Sequence, residues 1–396
     1  ADFAFHPDQW QHHYVAMASG NVWKTQNNGI TWTAVFDNEG SYAIGVVELD
    51  PGNPNTVWVG TGENNSQRSV GFGDGVYKSL DGGKSWTHMG LKDSGHISMI
   101  RFHPEDSNVV WVAAQGPLWN SGGDRGLYKS ENGGDSWTKI LDIDEDTGVN
   151  EFVIDPADPD IIVASSYQRR RHVWTLINGG PGSGVHKTSD GGKTWRKVSK
   201  GLPEGDLGRI GLALAPSSPN VVYAIVEADE EGQGVYRSTD FGESWEKRSD
   251  HATRSAMYYN ELYVDPHNAD VLYAVDTFTH RSDDGGKTWQ RVPFTNRHVD
   301  DHALWIDPQN SGHLYIGGDG GVYESWDEGE TWRHVSNLPT TQFYRATPDN
   351  DFPFYNVCAG TQDNFTLCGP SRTRYTDGIT NGDWWIAQFG DGFKAQ

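Results

Sequence analysis

The sequence predicts an all-β chain assembled from one repeated four-stranded unit, and three observations carry that prediction. An eight-residue pattern, Ser/Thr-x-Asp/Asn-x-Gly-x-Ser/Thr-Trp, recurs seven times along the 396 residues. The copies keep register, because Trp32 and Trp332 lie 300 residues apart across six intervals, a mean spacing of 50. Composition agrees: 48 Gly stand among 17 Trp, 16 Tyr and 15 Phe, as many short strands joined by tight turns require and as a disordered chain would not show.

The boxes come first. They run Thr25–Trp32, Ser79–Trp86, Ser130–Trp137, Thr188–Trp195, Ser238–Trp245, Ser282–Trp289 and Ser325–Trp332. Asn and Asp side chains bond nearby backbone amides, Gly supplies a positive φ, the hydroxyl adds a second local bond, and the Trp closes the hairpin by packing over it. A turn repeated once per unit reads as scaffold, since a catalytic or metal site is needed only once. Around each box an apolar strand ends at Asp-Pro or a variant of it, as in Leu49-Asp50-Pro51 and Ile306-Asp307-Pro308, where proline cannot donate to a ladder. A second strand such as Val110-Trp111-Val112 follows, a third runs into the box, and a fourth leaves it. Four strands per unit at a period near 50 is the signature of a β-propeller blade. The expected division is a seven-bladed propeller over 1–338 and a partial eighth unit over 339–396, with an imperfect box-like stretch at Thr376–Trp384.

These boxes resemble the Asp-box (BNR) repeats of sialidases, of xyloglucanase-type glycoside hydrolases and of sortilin-type receptor ectodomains. Longer stretches, Trp58–Arg68 and Gly360–Phe365, are similar to a bacterial secreted family of large Asp-box proteins labelled sortilin-like or glycosyl-hydrolase-like. That resemblance implies two propellers in the parent protein, so the eighth unit would begin the second. It specifies fold more closely than activity.

Charge and composition exclude several classes. A net charge of −23 argues against a nucleic-acid partner, which needs a basic patch. No apolar run reaches the 18 residues of a membrane-spanning helix. The chain starts Ala1-Asp2-Phe3 without an initiator Met or a signal peptide, as a processed or trimmed product would. Cys358 and Cys368 allow one hairpin bridge, which would fit an oxidising, secreted or cell-surface (periplasmic or extracellular) setting. No cofactor is expected. No metal is expected either: Asp142–Gly148 imitates the start of a calcium loop, but its glycine falls one place late and Val153 stands at the twelfth position.

A propeller meets ligands at its central funnel, formed by the loops entering each first strand and those joining second to third strands. Counting back from the Asp-Pro anchors places His96, Arg209, Tyr258, Asp300, Asp301, His302, Glu151, Glu261 and, in the last unit, Gln342 at that mouth. Asp363 belongs to the family-like stretch of the last unit. The long loops 63–73, 116–125 and 167–184 of the early blades add Glu63, Arg68, Trp119, Arg169, Arg170, Arg171 and Trp174. Three successive arginines in an acidic chain suit a carboxylate, sulfate or phosphate, and exposed Trp suits a sugar face. The structural alternative is that the arginines pair with acidic loops and the tryptophans hold those loops down. For catalysis, Asp301 with Glu63 or Glu261 is the candidate set. Asp300 and Asp301 are strand neighbours pointing to opposite faces, so a partner carboxylate must come from another blade.

Two function classes follow. One is a secreted binding scaffold that grips a polysaccharide, peptide or protein in the funnel. The other is a glycoside hydrolase acting through funnel carboxylates. Two departures bear on the second. The Phe/Tyr-Arg-Ile-Pro motif of sialidases is missing, although Arg68, Arg209 and Arg345 fall near the mouth. Xyloglucanase-type enzymes carry a catalytic Asp before the Gly that opens the third strand of blade one, and here that stretch reads Ala16-Met17-Ala18-Ser19-Gly20-Asn21. Their second catalytic acid lies in the second propeller.

Overall fold

A computed structural model describes residues 2–395, and it is all-β, with eight sheets among those residues. Each is an antiparallel run of four strands in chain order, and the fourth carries one additional strand, Thr175–Asn178, paired to Ile162–His172. The chain divides into two compact units. Unit 1 extends to Gly318 and takes in Val322–Asn337, holding seven sheets; unit 2 comprises Asp319–Gly321 and Leu338–Gln396, holding the eighth.

In unit 1 the first strand of every sheet is the innermost. These strands are Asp2–His6, Ile44–Asp50, Ile97–Phe102, Thr147–Ile154, Ile210–Leu214, Glu261–Val264 and Asp301–Asp307. Each packs beside its neighbour, the sixth-to-seventh step being made by Leu272–Val275 against Asp301–Asp307, and the seventh returns to the first. The core is accordingly a set of seams between adjacent sheets. Ala4, Tyr14, Ile44 and Val59 fill the first seam, Trp58, Ile97, Ile100 and Val112 the second, and Val271, Tyr273, Leu304 and Ile316 the sixth. Each fully buried side chain of this kind contributes about 1.5–3 kcal/mol.

The boxes are turns, as their residue types require. In the second, Ser85 N donates to Asp81 Oδ1 at 2.9 Å, Ser85 Oγ to Asp81 Oδ2 at 2.7 Å, and Gly83 N to Ser79 Oγ at 2.8 Å. Hydrogen bonds from Ser85 and Ser79 hold the Asp81 carboxyl well below the usual range, and bonds from Thr288 hold Asp284 at about 2. The Trp does more than close its own hairpin. Trp86 Nε1 donates to Val35 O and Trp137 Nε1 to Met89 O, each at 2.6 Å and each on the preceding sheet. Trp289 Nε1 and Trp332 Nε1 do likewise, donating to Ser249 Oγ at 3.1 Å and to Pro293 O at 3.0 Å, so these four tryptophans peg one blade to the last.

Sheets 7 and 1 meet without exchanging strands. Asn337 Nδ2 donates to Gly29 O at 2.7 Å, Tyr315 OH bonds Asn28 Oδ1, and the Phe5 and Trp305 rings stack 3.6 Å apart. Beneath this seam Glu324 accepts from His313, Tyr315 and Arg333. Burial pushes Glu324 up, but those bonds outweigh it and hold the carboxyl at about 2.

Unit 2 is one sheet, Phe343–Pro348, Asn356–Thr361, Thr366–Pro370 and Trp385–Gln388. Cys358 stands opposite Cys368 in its central pair, and the two are bridged. Its first strand is exposed almost throughout, whereas the first strands Ile44–Asp50 and Thr147–Ile154 of unit 1 are buried almost throughout. The box-like stretch is not a box: it ends in a single 3-10 turn, with Asp383 accepting from Thr380 N at 2.7 Å.

Candidate functional site

The first strands enter the ring at the end where the loops are longest, and one of those loops crosses the axis. Residues 63–68 leave sheet 2 and reach four other sheets. Asn64 Oδ1 accepts from Gln115 of sheet 3 at 2.6 Å, and Asn64 Nδ2 donates to Glu261 of sheet 6 at 3.4 Å. Asn65 O accepts from Arg169 of sheet 4 at 2.8 Å, Asn64 O from Arg209 at the entry to sheet 5 at 3.2 Å, and Ser66 N donates to Met257 O at 3.3 Å. Sheets 2 and 6 face each other across a seven-membered cycle, so a segment joining them spans its middle. The funnel is plugged.

This plug accounts for the arginines. Arg169 is fully buried, donating also to Ser66 Oγ and Gly116 O, and Arg171 Nε donates to Ser66 O at 2.9 Å. Burial lowers Arg169 to about 9, which leaves it charged at neutral pH. Strand alternation turns Arg170 the other way, onto Asp146 at 2.9 Å and Ser121 Oγ. That salt bridge takes up one carboxylate of the calcium-like stretch. Arg209, 1% exposed, pairs with Glu261 Oε1 at 3.1 Å. Of the arginines expected at the mouth, Arg68 is an exposed side chain, and so is Arg345, which belongs to unit 2.

His96 is buried with Nδ1 on Glu63 O at 2.8 Å, and burial lowers it well below its usual value. Tyr258 OH accepts from Gln67 of the plug. Asp300, at φ 66°, accepts from Tyr259 OH at 2.9 Å, and the His302 ring stacks on Tyr259. Gln342 and Asp363 are in unit 2, where Gln342 O accepts from Gln362 N and Asp363 N donates to Asp391.

The three candidate catalytic carboxylates differ sharply. Asp301 is 2% exposed, with one oxygen on Thr279 Oγ1 at 2.6 Å and the other on the buried Arg297 guanidinium. Burial still leaves it above the usual carboxylate range. Glu261 is held by Arg209, Asn64 and Tyr263. Glu63 is half-buried and makes no ion pair among the described residues, oriented by Ser19 Oγ at 2.6 Å and Asn65 Nδ2 at 3.3 Å. Thus the stretch 16–21, which has no carboxylate of its own, lies against one from the next blade.

Sequence reasoning missed the lumen beneath the plug. Asp2, Glu48, Arg101, Glu151, Glu261 and Tyr263, from five sheets, feel one another's charge there. Burial and the neighbouring Glu261 push Glu151 up to about 8, and burial pushes Glu48 to about 7 against the pull of Arg101. The available signal was charge at alternate positions of first strands that are otherwise apolar.

Exposed aromatic side chains stand on the loops around the plug. Trp174 is 82% exposed at the tip of the 162–178 hairpin, where His172 stacks on it, and Trp119 and Phe72 rise from the neighbouring loops. Those loops are tied together by Arg171 N donating to Leu118 O at 2.8 Å and by the Arg170–Ser121 bond.

A plugged ring of box-pegged four-stranded sheets is an Asp-box β-propeller. Comparison with known proteins agrees: residues 236–247 and 280–291 match the BNR/Asp-box repeat, and residues 20–177 match the Sortilin-Vps10 family (sortilin, neurotensin receptor 3). A xyloglucanase of Acetivibrio thermocellus is 26% identical over 227 residues, which cover 47% of this chain and 23% of that protein. Among solved structures, the GH74 xyloglucanase from Xanthomonas campestris superposes with a TM-score of 0.67 at 18% identity, covering 92% of this chain and 58% of that one. YCF48 from Cyanidioschyzon merolae gives 0.53 at 18% identity, over 82% and 94% of the two chains. The chain therefore spans under a quarter of that curated relative and little over half of the xyloglucanase structure. Among the described residues no helix is long and apolar enough to cross a membrane.

Proposed function

We propose that this chain is the polysaccharide-holding part of a secreted glycoside hydrolase whose substrate is a glucan of the xyloglucan type. In this reading unit 1 is a seven-bladed propeller, and unit 2 is the opening blade of a second. The observation that carries it is the mouth itself. A plug fills the funnel, and mutually bonded loops lift Phe72, Trp119 and Trp174 around it, an arrangement suited to a polymer laid flat with its sugar faces on aromatic rings. The xyloglucanase relatives support the substrate class. Of the expected carboxylates, Glu63 is the one we assign to the chemistry. Asp301 has both oxygens committed to buried partners and Glu261 is ion-paired, whereas Glu63 is half-exposed and oriented with no counter-ion among the described residues. The second carboxyl that glycoside hydrolysis requires would come from the second propeller.

The test is affinity electrophoresis and reducing-end release on xyloglucan, with mannan and pectin as controls, for the chain as given, Trp174→Ala and Glu63→Gln. Retardation by xyloglucan that weakens about tenfold in Trp174→Ala, the size of one lost stacking contact, is expected. No retardation by any of the three polysaccharides sinks the reading. Binding without release leaves the holding role and places the chemistry in the longer protein. Release unchanged in Glu63→Gln removes Glu63 from it.

A further inference from the structure

One rung of the central strand pair recurs through unit 1 and is answered differently in unit 2. In five sheets of unit 1 the second strand carries an aromatic residue directly opposite a cation on the third. The pairs are Tyr14 and Lys24, Trp58 and Lys78, Trp111 and Lys129, Tyr223 and Arg237, and Tyr273 and Arg281. Each cation lies 5.1–5.6 Å from the centre of the facing ring, within the range of a cation–π contact. Lys24 and Lys78 also reach out of their sheets, donating to Gly82 O and Gly133 O of the next one at 2.9 Å each.

Unit 2 keeps the frame of that pair and changes the rung. Val57-Trp58-Val59-Gly60-Thr61 of sheet 2 matches Val357-Cys358-Ala359-Gly360-Thr361. The two threonines close the pair in the same way. Thr61 Oγ1 donates to Gly75 O at 2.8 Å and Thr361 Oγ1 to Phe365 O at 2.7 Å, in each case the residue before the third strand begins. Where Trp58 faces Lys78, Cys358 faces Cys368 and is bonded to it. The rest of the unit gives this pair little support. Ala359 and Cys368 are its buried apolar side chains among the described residues, while Phe343, Trp385 and Ile386 of the outer strands are 45–48% exposed.

A covalent rung thus stands where unit 1 uses packing, and a disulfide, unlike packing, can be undone by a thiol. Cys368 is 4% exposed whereas Cys358 is only partly buried, so an incoming thiolate reaches Cys358 first. We propose that the Cys358–Cys368 bond is a redox latch for unit 2, opened by a dithiol of the thiol–disulfide exchange class through attack at Cys358. The thiolate bonds Cys358 Sγ, the S–S bond breaks, and Cys368 leaves as a thiolate that takes up a proton. The second thiol of the reductant then attacks its own sulfur in the mixed disulfide and expels Cys358 as a thiol. The latch gains two electrons and the dithiol, oxidised to its disulfide, loses two. With the bond open the 356–370 hairpin loses its main restraint and the sheet comes apart. Unit 1 contains no cysteine and stays folded. The inference goes beyond the polysaccharide reading and does not depend on it.

The experiment is hydrogen exchange of the full chain, read by mass spectrometry on the oxidised protein, on protein reduced with dithiothreitol, and on the Cys358→Ser/Cys368→Ser variant. The bond joins residues 10 positions apart. Closing so short a loop shifts an opening equilibrium by about a hundredfold, so amides of 356–370 should exchange about a hundredfold faster once it is open. Those of 44–61 in sheet 2 should not change. The double variant should match the reduced protein and ignore the reductant. Brief exposure to glutathione, quenched with acid, should leave the mixed disulfide on Cys358. Unchanged exchange at 356–370 in both the reduced protein and the variant overturns the latch. Equal loosening of 44–61 overturns it too, because the bond would then hold the whole chain rather than one unit. A bond that dithiothreitol reduces only after denaturation, or glutathione found on Cys368, overturns the attack at Cys358.

Discussion

Replacing His13 with phenylalanine should destabilise the protein near pH 8 and stabilise it near pH 5. His13 is fully buried at the seam between sheets 1 and 7. Its Nδ1 is on Trp10 O at 3.0 Å, its ring stacks on Phe5 at 4.4 Å, and its Nε2 finds no partner among the described residues. Burial lowers its pKa from 6.5 to about 4, a shift that the bond to Trp10 O and the charge of Glu324 oppose. Between those values the unfolded chain holds the extra proton, so stability falls as pH drops from 6.5 toward 4. By pH 5 the loss is about 2 kcal/mol. Phenylalanine keeps the ring but not the bond to Trp10 O, which costs about 1 kcal/mol at every pH. The two curves should therefore cross between pH 5 and 7, with a net gain of about 1 kcal/mol for the variant at pH 5. Urea midpoints by tryptophan fluorescence at pH 5, 6, 7 and 8 would show the crossing. A difference that stays constant over that range would mean His13 does not titrate behind a closed seam, and the account of ring closure would fail.

Three further outcomes are expected. Gly134→Ala should cost about 2–5 kcal/mol, from a left-handed φ of 95° plus a Cβ placed 2.5 Å from the buried Trp58 ring, whereas Gly122→Ala, with φ 75° and open space, should cost only about 1–2 kcal/mol; paired denaturation curves decide whether the box glycine is a seam residue. Asp301→Asn should lower stability by about 3–5 kcal/mol by breaking a buried ion pair with Arg297, yet leave polysaccharide binding of the folded fraction unchanged, which thermal melts and titrations read separately. Glu151 holds its proton in the folded state up to about pH 8 but in the unfolded state only to about 4.5, so the natural protein loses stability as pH rises through that window; Glu151→Gln should not, and its melting temperature should overtake between pH 6 and 9.

The fold was legible because the same local solution is written seven times. Each Ser/Thr, Asp/Asn, Gly and Trp of a box has its own bond or contact, and a repeat multiplies that signal. The mouth was legible only as a neighbourhood. Counting from the Asp-Pro anchors brought His96, Arg209, Tyr258 and Glu261 to one region, and they are joined there by way of the plug. Their roles were hidden, because whether Arg169 faces a ligand or a carbonyl of residue 65 depends on a contact 104 positions away. The Ser19–Glu63 pair was hidden for the same reason, since a carboxylate supplied by the next blade leaves no mark in the stretch it serves.

The loop across the axis also decides how a long molecule can meet this protein. A hollow ring admits a polymer by its tip, and each binding event must then wait for a free terminus. With residues 63–68 bolted to four other sheets, the upper surface behaves as a table rather than a tube. If the polysaccharide proposed above is the ligand, a chain of any length could be set down on it at any point along its run, and the frequency of encounter would scale with the number of interior units rather than the number of ends.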